Sequence, residues 1–238
     1  MQDHSGAKAG FNIRNHVGLA FLAGLLIAGI AFSIWTLQRQ SAPPEIQGVL
    51  LSDARALPAF QLTDHHTEPF SNAELQGSWH LLTYGFTHCP DICPSMLAAM
   101  SSMVRELEAS DSPWTDVDLL FYSVDPARDT PEHLADYVTF FHNDLTGLTV
   151  NGDTVDSAER FERGLGIVYE IPTEDRFGTP YGEDDYPVNH GVKIFLLNPD
   201  GRLQAVFDPG FTEDGMVHYS IRQLIQDYEA VRRHLADT

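Results

Sequence analysis

The chain has 238 residues, with 34 acidic and 14 basic side chains, a formal net charge of −20 at pH 7 and only two cysteines. That length accommodates one membrane segment plus one domain with a real hydrophobic core. So negative a chain disfavours binding to a phosphate backbone, and no nucleic-acid partner is expected.

From Val17 to Leu37 no charged residue interrupts a run of Leu, Ala, Ile, Phe and Gly. The run matches the roughly 20 apolar residues that cross a bilayer as a helix, and Trp35 near its end suits an interfacial anchor. A cleavable signal peptide is the competing reading, but its apolar region is about 7 to 15 residues long and ends at a small-residue cleavage site. Ser41-Ala42-Pro43-Pro44 fits that site poorly, and no cysteine lies nearby to carry a lipoprotein anchor. Lys8, Arg14 and the amino terminus outweigh Arg39 across the span. Residues 1–16 are therefore expected as a short cytoplasmic tail and residues 17–37 as a single-pass helix of the inner (plasma) membrane, with the C-terminal domain facing the periplasm.

Residues 38–55, with Pro43-Pro44, read as a linker, and residues 56–238 as the domain. Beyond residue 40 the acidic side chains number 33 and the basic ones 11, a balance of about −22, with Lys193 the one lysine of the domain. Adaptation to salt and recognition of a basic partner both accommodate that surface. Phe60-Gln61-Leu62 and Thr67 to Phe70 flank a polar turn and predict a hairpin. Trp79 to Phe86 predicts a buried strand, Pro94 to Ala109 a helix, and Val117 to Val124 a second apolar strand. Thr130-Pro131-Glu132 opens another helix, with threonine as cap and proline in the first turn. A short helix over Asp153 to Leu165 and a strand over Ile167 to Ile171 follow. The polar stretch Pro172 to Asn189 is long enough to suggest a functional loop. It leads to His190 and the strand Val192 to Leu197, which Asn198-Pro199-Asp200-Gly201 turns into Leu203 to Phe207. An amphipathic helix over roughly Asp214 to Ala236 closes the chain. Strands alternating with helices, then a hairpin and a final helix, describe an α/β sandwich of the thioredoxin type.

Cys89 and Cys93 follow the first apolar strand directly, and each precedes a proline, which biases it away from helical angles. Both are expected in a turn, with Pro94 as the first residue of the helix. The thiols would then face the positive helix end, a setting that favours thiolate, the form that attacks disulfides or binds a soft metal. An inert structural disulfide is the plain alternative, though one closing so short a loop removes little unfolded-state entropy. Strand, cysteine pair, helix is the layout of thioredoxin-like redox sites, here with three residues between the cysteines where two are usual.

Two thiolates and one distant imidazole make a set that selects copper(I), with zinc open if a fourth ligand joins. His190, at the end of the long loop and the entry of a strand, is the best candidate imidazole. His88 would point away from Cys89 along an extended chain. His65 and His66 fall in an exposed turn, and His133, His142, His218 and His234 on helices. Asp125 and Asp129 are the next candidates, and turn formation and helix capping account for them.

The chain resembles the Sco/SenC family, membrane-anchored copper chaperones that help assemble the dinuclear copper centre of cytochrome c oxidase. The resemblance covers roughly residues 48–236. It rests on the run Tyr84 to Pro94, on Ser123-Val124-Asp125-Pro126-Ala127-Arg128-Asp129-Thr130, on Tyr186-Pro187-Val188-Asn189-His190 and on the Asn198 to Gly201 turn. It implies a thioredoxin-like copper-binding domain in which Cys89, Cys93 and His190 bind copper, as Cu(I) and also as Cu(II), and the cysteines cycle between dithiol and disulfide. Asp125, Asp129 and Asn189 would stand behind these ligands. The implied partners are a copper-receiving subunit of cytochrome c oxidase and an upstream copper donor or thiol reductant. The family often has aspartate before this histidine and a hydroxyl residue after it; here they are Asn189 and Gly191. Loss of that charge predicts weaker copper(II) retention.

A second reading, a thiol–disulfide oxidoreductase that keeps an oxidase subunit's cysteines reduced, needs the cysteines but not His190. A peroxidase is the third, suggested by Thr87 two residues before Cys89.

Overall fold

The computed structural model of the protein describes residues 22–33 and 43–237. Residues 22–33 form helix α1, exposed along its length. They are the middle of the span expected at 17–37; residues 17–21, residues 34–37 and the tail at 1–16 lie outside the described residues. Among the described residues, no helix is long and apolar enough to cross a membrane. A separate compact unit runs from Pro44 to Asp237.

The strands of this unit are β1 (Gly48–Ala56), β2 (Gln61–Asp64), β3 (Pro69–Ser71), β4 (Trp79–Gly85), β5 (Val117–Ser123), β6 (Leu145–Thr149), β7 (Tyr169–Glu170), β8 (Asn189–His190), β9 (Ile194–Leu197), β10 (Arg202–Phe207), β11 (Gly210–Phe211) and β12 (Val217–His218). Its helices are α2 (Ile92–Glu108), α3 (Pro131–Phe141), α4 (Val155–Leu165) and α5 (Ile221–Ala236). Eight strands make one sheet in the order β1-β10-β9-β4-β5-β6-β2-β3. β4, β5 and β6 run parallel, and β9 pairs antiparallel with the other edge of β4.

Side chains alternate across a strand, so a central strand covered on both faces must be apolar throughout. β4 meets that demand apart from His80 and Thr83, and Thr83 donates its hydroxyl to the Lys193 carbonyl at 3.0 Å. Leu81 points into a layer with Met96, Met100 and Met103 of α2, Val138 of α3 and Tyr228 of α5. Leu82 and Tyr84 point the other way, towards Phe161 and Leu165 of α4. Three helices on one face and one on the other make the α/β sandwich of thioredoxin type expected from the alternation. Cys89 and Cys93 belong to the α4 layer, on the side that also receives Val188 from the long loop.

Three segments differ from the sequence reading. Residues 48–55, expected as the end of the linker 38–55, form with Ala56 the sheet-edge strand β1 on β10, where a register shift between Leu50 and Arg55 hides the alternation. The last helix begins at Ile221, capped by Ser220, because the residues before it form the hairpin β11–β12. Helix α2 begins at Ile92, two residues early, which puts Cys93 in its first turn. Proline at the third helical position is tolerated there, since the first four N–H groups have no intrahelical partner to lose.

Phe161 is fully buried between Phe60, at 4.6 Å, and Tyr122, at 5.2 Å between ring centroids. Phe161→Ala is expected to destabilise the domain by about 3–5 kcal/mol, read as a lower urea midpoint at unchanged slope; a loss under about 1 kcal/mol would mean that this layer is not a packed core.

Candidate metal centre

The sulfur pair is made by the passage from β4 into α2. Cys89 N–H donates to the carbonyl of Phe86 at 3.2 Å, closing a turn just past the strand. Asp91 is the N-cap residue of α2, yet its side chain makes no capping bond. A capping side chain ordinarily accepts from the second or third N–H of the helix. Here the sulfur of Cys89 accepts the N–H of Cys93, the second helical residue, at 3.4 Å. Cys89 is therefore the acceptor at this helix start. Gly85 makes the room: a Cβ there would lie 2.4 Å from the sulfur of Cys93.

Both cysteines are free thiols and both are buried. Their ionisation is opposite. The thiol of Cys93 donates to the sulfur of Cys89 and, with the N–H groups of Cys93 and Asp91, holds the Cys89 pKa down to about 4 against the opposing effect of burial. Cys93 is pushed far up, first by that same hydrogen bond, then by burial and by the charge on Cys89. The pair is one thiolate and one thiol, the first facing the positive end of α2.

His190 comes from β8, which pairs antiparallel with β7 so that Tyr169 opposes it. Its Nδ1 lies 2.7 Å from the carbonyl oxygen of Gly191. A carbonyl only accepts, so Nδ1 carries the proton and Nε2 is left with its lone pair. Nε2 lies 3.4 Å from the sulfur of Cys93. The ring sits edge-on to Tyr84 and Phe86, with centroids 5.8 Å away in both cases. Gly191 permits this approach, because a Cβ there would lie 2.4 Å from the hydroxyl oxygen of Tyr84.

The two sulfurs and the imidazole nitrogen lie within 4.8 Å of one another, and no other group of three such ligands is found among the described residues. Sulfur and nitrogen donors each about 2.0–2.3 Å from a shared ion stand roughly 3.5–4 Å apart. The observed spacing needs only small adjustments to embrace one. The donor set, soft and three-membered, fits copper(I).

Asp125 and Asp129 are both fully buried, and the cap of α3 falls to Thr130, which accepts from His133 N–H. Asp129 instead organises the cysteine turn. It accepts from Thr87 N–H at 2.9 Å, Thr87 Oγ1 at 2.5 Å and Ser123 Oγ at 2.6 Å. With its hydroxyl so engaged, Thr87 is a support of the turn. Asp125 accepts from Tyr186 Oη at 2.6 Å and from Arg128 Nε. Asn189 is exposed. His88 is half exposed, with Nδ1 4.0 Å from Asp129, and is not part of the three-ligand group. His65, expected in an exposed turn, is buried and accepts from Gly147 N–H at 3.1 Å. The sequence reading assigned no role to Arg128 and Tyr186. The signal available was an arginine between two aspartates and a tyrosine at the exit of an acidic loop.

The SCO1/SenC family model matches residues 50–226. The chain is 33% identical over 232 residues to the mitochondrial SCO2 homolog of Bos taurus, covering 97% of this chain and 79% of that one. It is 39% identical over 178 residues to the mitochondrial SCO2 homolog of Mus musculus, covering 74% of this chain and 61% of the relative. Among solved structures it is similar to Arabidopsis thaliana ScoI with copper bound, with a TM-score of 0.60 and 28% identity, covering 74% of this chain and 97% of that one. With the family pattern spanning the whole site from β4 to β10, the chain belongs to the SCO1/SenC family.

Proposed function

We propose that the protein is a membrane-anchored copper chaperone that takes up copper at Cys89, Cys93 and His190 and passes it to the dinuclear copper centre of cytochrome c oxidase. The observation that carries this reading is the convergence of two sulfurs and an unprotonated Nε2 within 4.8 Å. Copper here is cargo. Three donors leave an open side for the cysteine and histidine ligands of a receiving oxidase subunit, so transfer proceeds by ligand exchange. Residues 17–37 anchor the chain in the inner membrane, with residues 1–16 on the cytoplasmic side and the domain in the periplasm. The unbroken apolar run and the exposed leucines and isoleucines of α1 support that placement.

A thiol–disulfide exchange role is favoured by the unequal thiols. The Cys89 thiolate attacks one sulfur of a partner disulfide and expels the other as thiolate. Cys93 then gives up its proton and attacks Cys89, forming the intramolecular disulfide and releasing the second partner sulfur. Copper uptake requires the pair to be reduced again.

The two roles separate at His190. In the reduced full-length protein, one copper per chain is expected, and copper(II) retention is expected to be lost on Cys89→Ala, Cys93→Ala and His190→Ala. His190→Ala should keep thiol–disulfide exchange within about threefold of the wild type. Undiminished copper(II) binding in His190→Ala would refute the three-ligand site.

Alkylation of Cys89 should stay nearly level as the pH falls from 8 to 6 and drop only as the pH approaches the lowered pKa of about 4. An ordinary thiol would already fade below about 8.5. Cys93→Ala removes the largest cause of the shift and should move the midpoint upward; mass spectrometry of the modified peptide reads both, and an unmoved midpoint contradicts the assignment.

Asn189→Asp adds a charge beside His190 without replacing the Gly191 carbonyl that holds Nδ1. Copper(II) affinity is expected to rise by about 3- to 10-fold, short of the 10–100-fold typical of a lost ring partner; a competition titration that finds no change would show that Asn189 has no part in copper(II) retention.

A further inference from the structure

Arg128 lies at the seam between the two segments that carry the donors. Its side chain is 8% exposed, and its Nε pairs with the buried Asp125. Nη1 donates to two carbonyls of the long loop, Asp184 at 3.2 Å and Tyr186 at 3.1 Å. The guanidinium stacks 3.8 Å from the ring centroid of Tyr186 and lies 5.6 Å from that of Phe86. Tyr186 closes the cluster by donating its hydroxyl to the second oxygen of Asp125. Nη2 is buried with no hydrogen-bond partner among the described residues. The plane is thus held by stacking and by the hydrogen bonds of Nε and Nη1. Phe86 precedes Cys89 by three residues and borders the His190 ring, and Tyr186 precedes His190 by four.

We infer that Arg128 is a positioning residue that latches the His190 segment over the sulfur pair, acting through Tyr186 and Asp125. Without it the segment is held beside the thiols by the two-residue pairing of β7 with β8, the Gly191 N–H bond to Val168, the burial of Val188 and the ring contacts of His190. Short pairings and long loops open easily. The latch fixes where the imidazole spends its time and leaves the sulfurs where α2 puts them. Its consequence is a split: Arg128 matters most to copper(II), a harder ion that leans on the imidazole, and less to copper(I), for which the two soft sulfurs supply most of the hold and the imidazole completes the set. Lysine cannot replace it, since an ammonium lacks the planar fork that binds Asp125, two carbonyls and a ring face together.

The inference rests on His190 being a copper ligand, and the test separates the two. Arg128→Lys retains a charge for Asp125 and is the main variant; Tyr186→Phe keeps the stacking and carries the same test if the first does not fold. In the reduced, copper-free full-length protein, amide exchange at 169–170 and 189–191 is expected to accelerate about tenfold or more, with the β4, β5 and α2 amides unchanged. Copper(II) affinity should fall about tenfold and copper(I) affinity stay within about threefold. Unchanged exchange at 189–191, uniform acceleration throughout the domain, or equal losses for the two copper states would each overturn the latch. If His190→Ala leaves copper(II) binding intact while Arg128→Lys still loosens 189–191, the copper reading fails and the latch stands.

Discussion

Two chain segments 97 residues apart must be held with a sulfur and an imidazole nitrogen 3.4 Å from each other, and most of the architecture around them serves that approach. One partner is set by regular structure: a buried strand, a tight turn and a helix start whose N–H points at sulfur. The other arrives on a long polar stretch with two residues of strand pairing. Small residues mark both contact points, Gly85 beneath Cys93 and Gly191 beside Tyr84, where any side chain would fill the space the donors need.

The end of β5 is the fulcrum. Ser123 donates to the carboxylate of Asp129 and accepts from the backbone N–H of Asp125, so one hydroxyl ties both buried aspartates to the strand end. Asp129 faces the cysteine turn through Thr87, and Asp125 faces the histidine segment through Tyr186 and Arg128. Buried carboxylates are stable only when paired or fully hydrogen-bonded. That requirement couples the two loops: displacing either one leaves a carboxylate short of partners.

Electrostatics assigns different work to the two sulfurs. Cys89 is the charged acceptor of a helix N–H and a thiol, while Cys93, fully buried, is the donor. One sulfur is thereby charged and the other protonated, and both lie within 4.8 Å of the imidazole nitrogen. The surrounding domain, at about −22, attracts cations and repels anions over distances set by salt.

The sequence by itself determined the layered fold and the sulfur half of the site, because those rest on local signals. The apolar run Trp79 to Phe86 and the Thr130-Pro131 helix start are read within a few residues, whereas the prolines, taken to keep both cysteines in a turn, misplaced Cys93, which lies in the first turn of α2. It also singled out His190, from its loop and its neighbours. It misplaced β1, whose edge position blurs the alternation, and the start of α5, whose preceding hairpin has too few residues to show a period. Only the tertiary structure decided that Nε2 carries the free lone pair, that Asp125 and Asp129 tie loops instead of capping a helix, and that Arg128 joins them. The physical reason is that these depend on which distant carbonyl, ring or carboxylate ends up within 3 or 4 Å, and no periodicity along the chain encodes that.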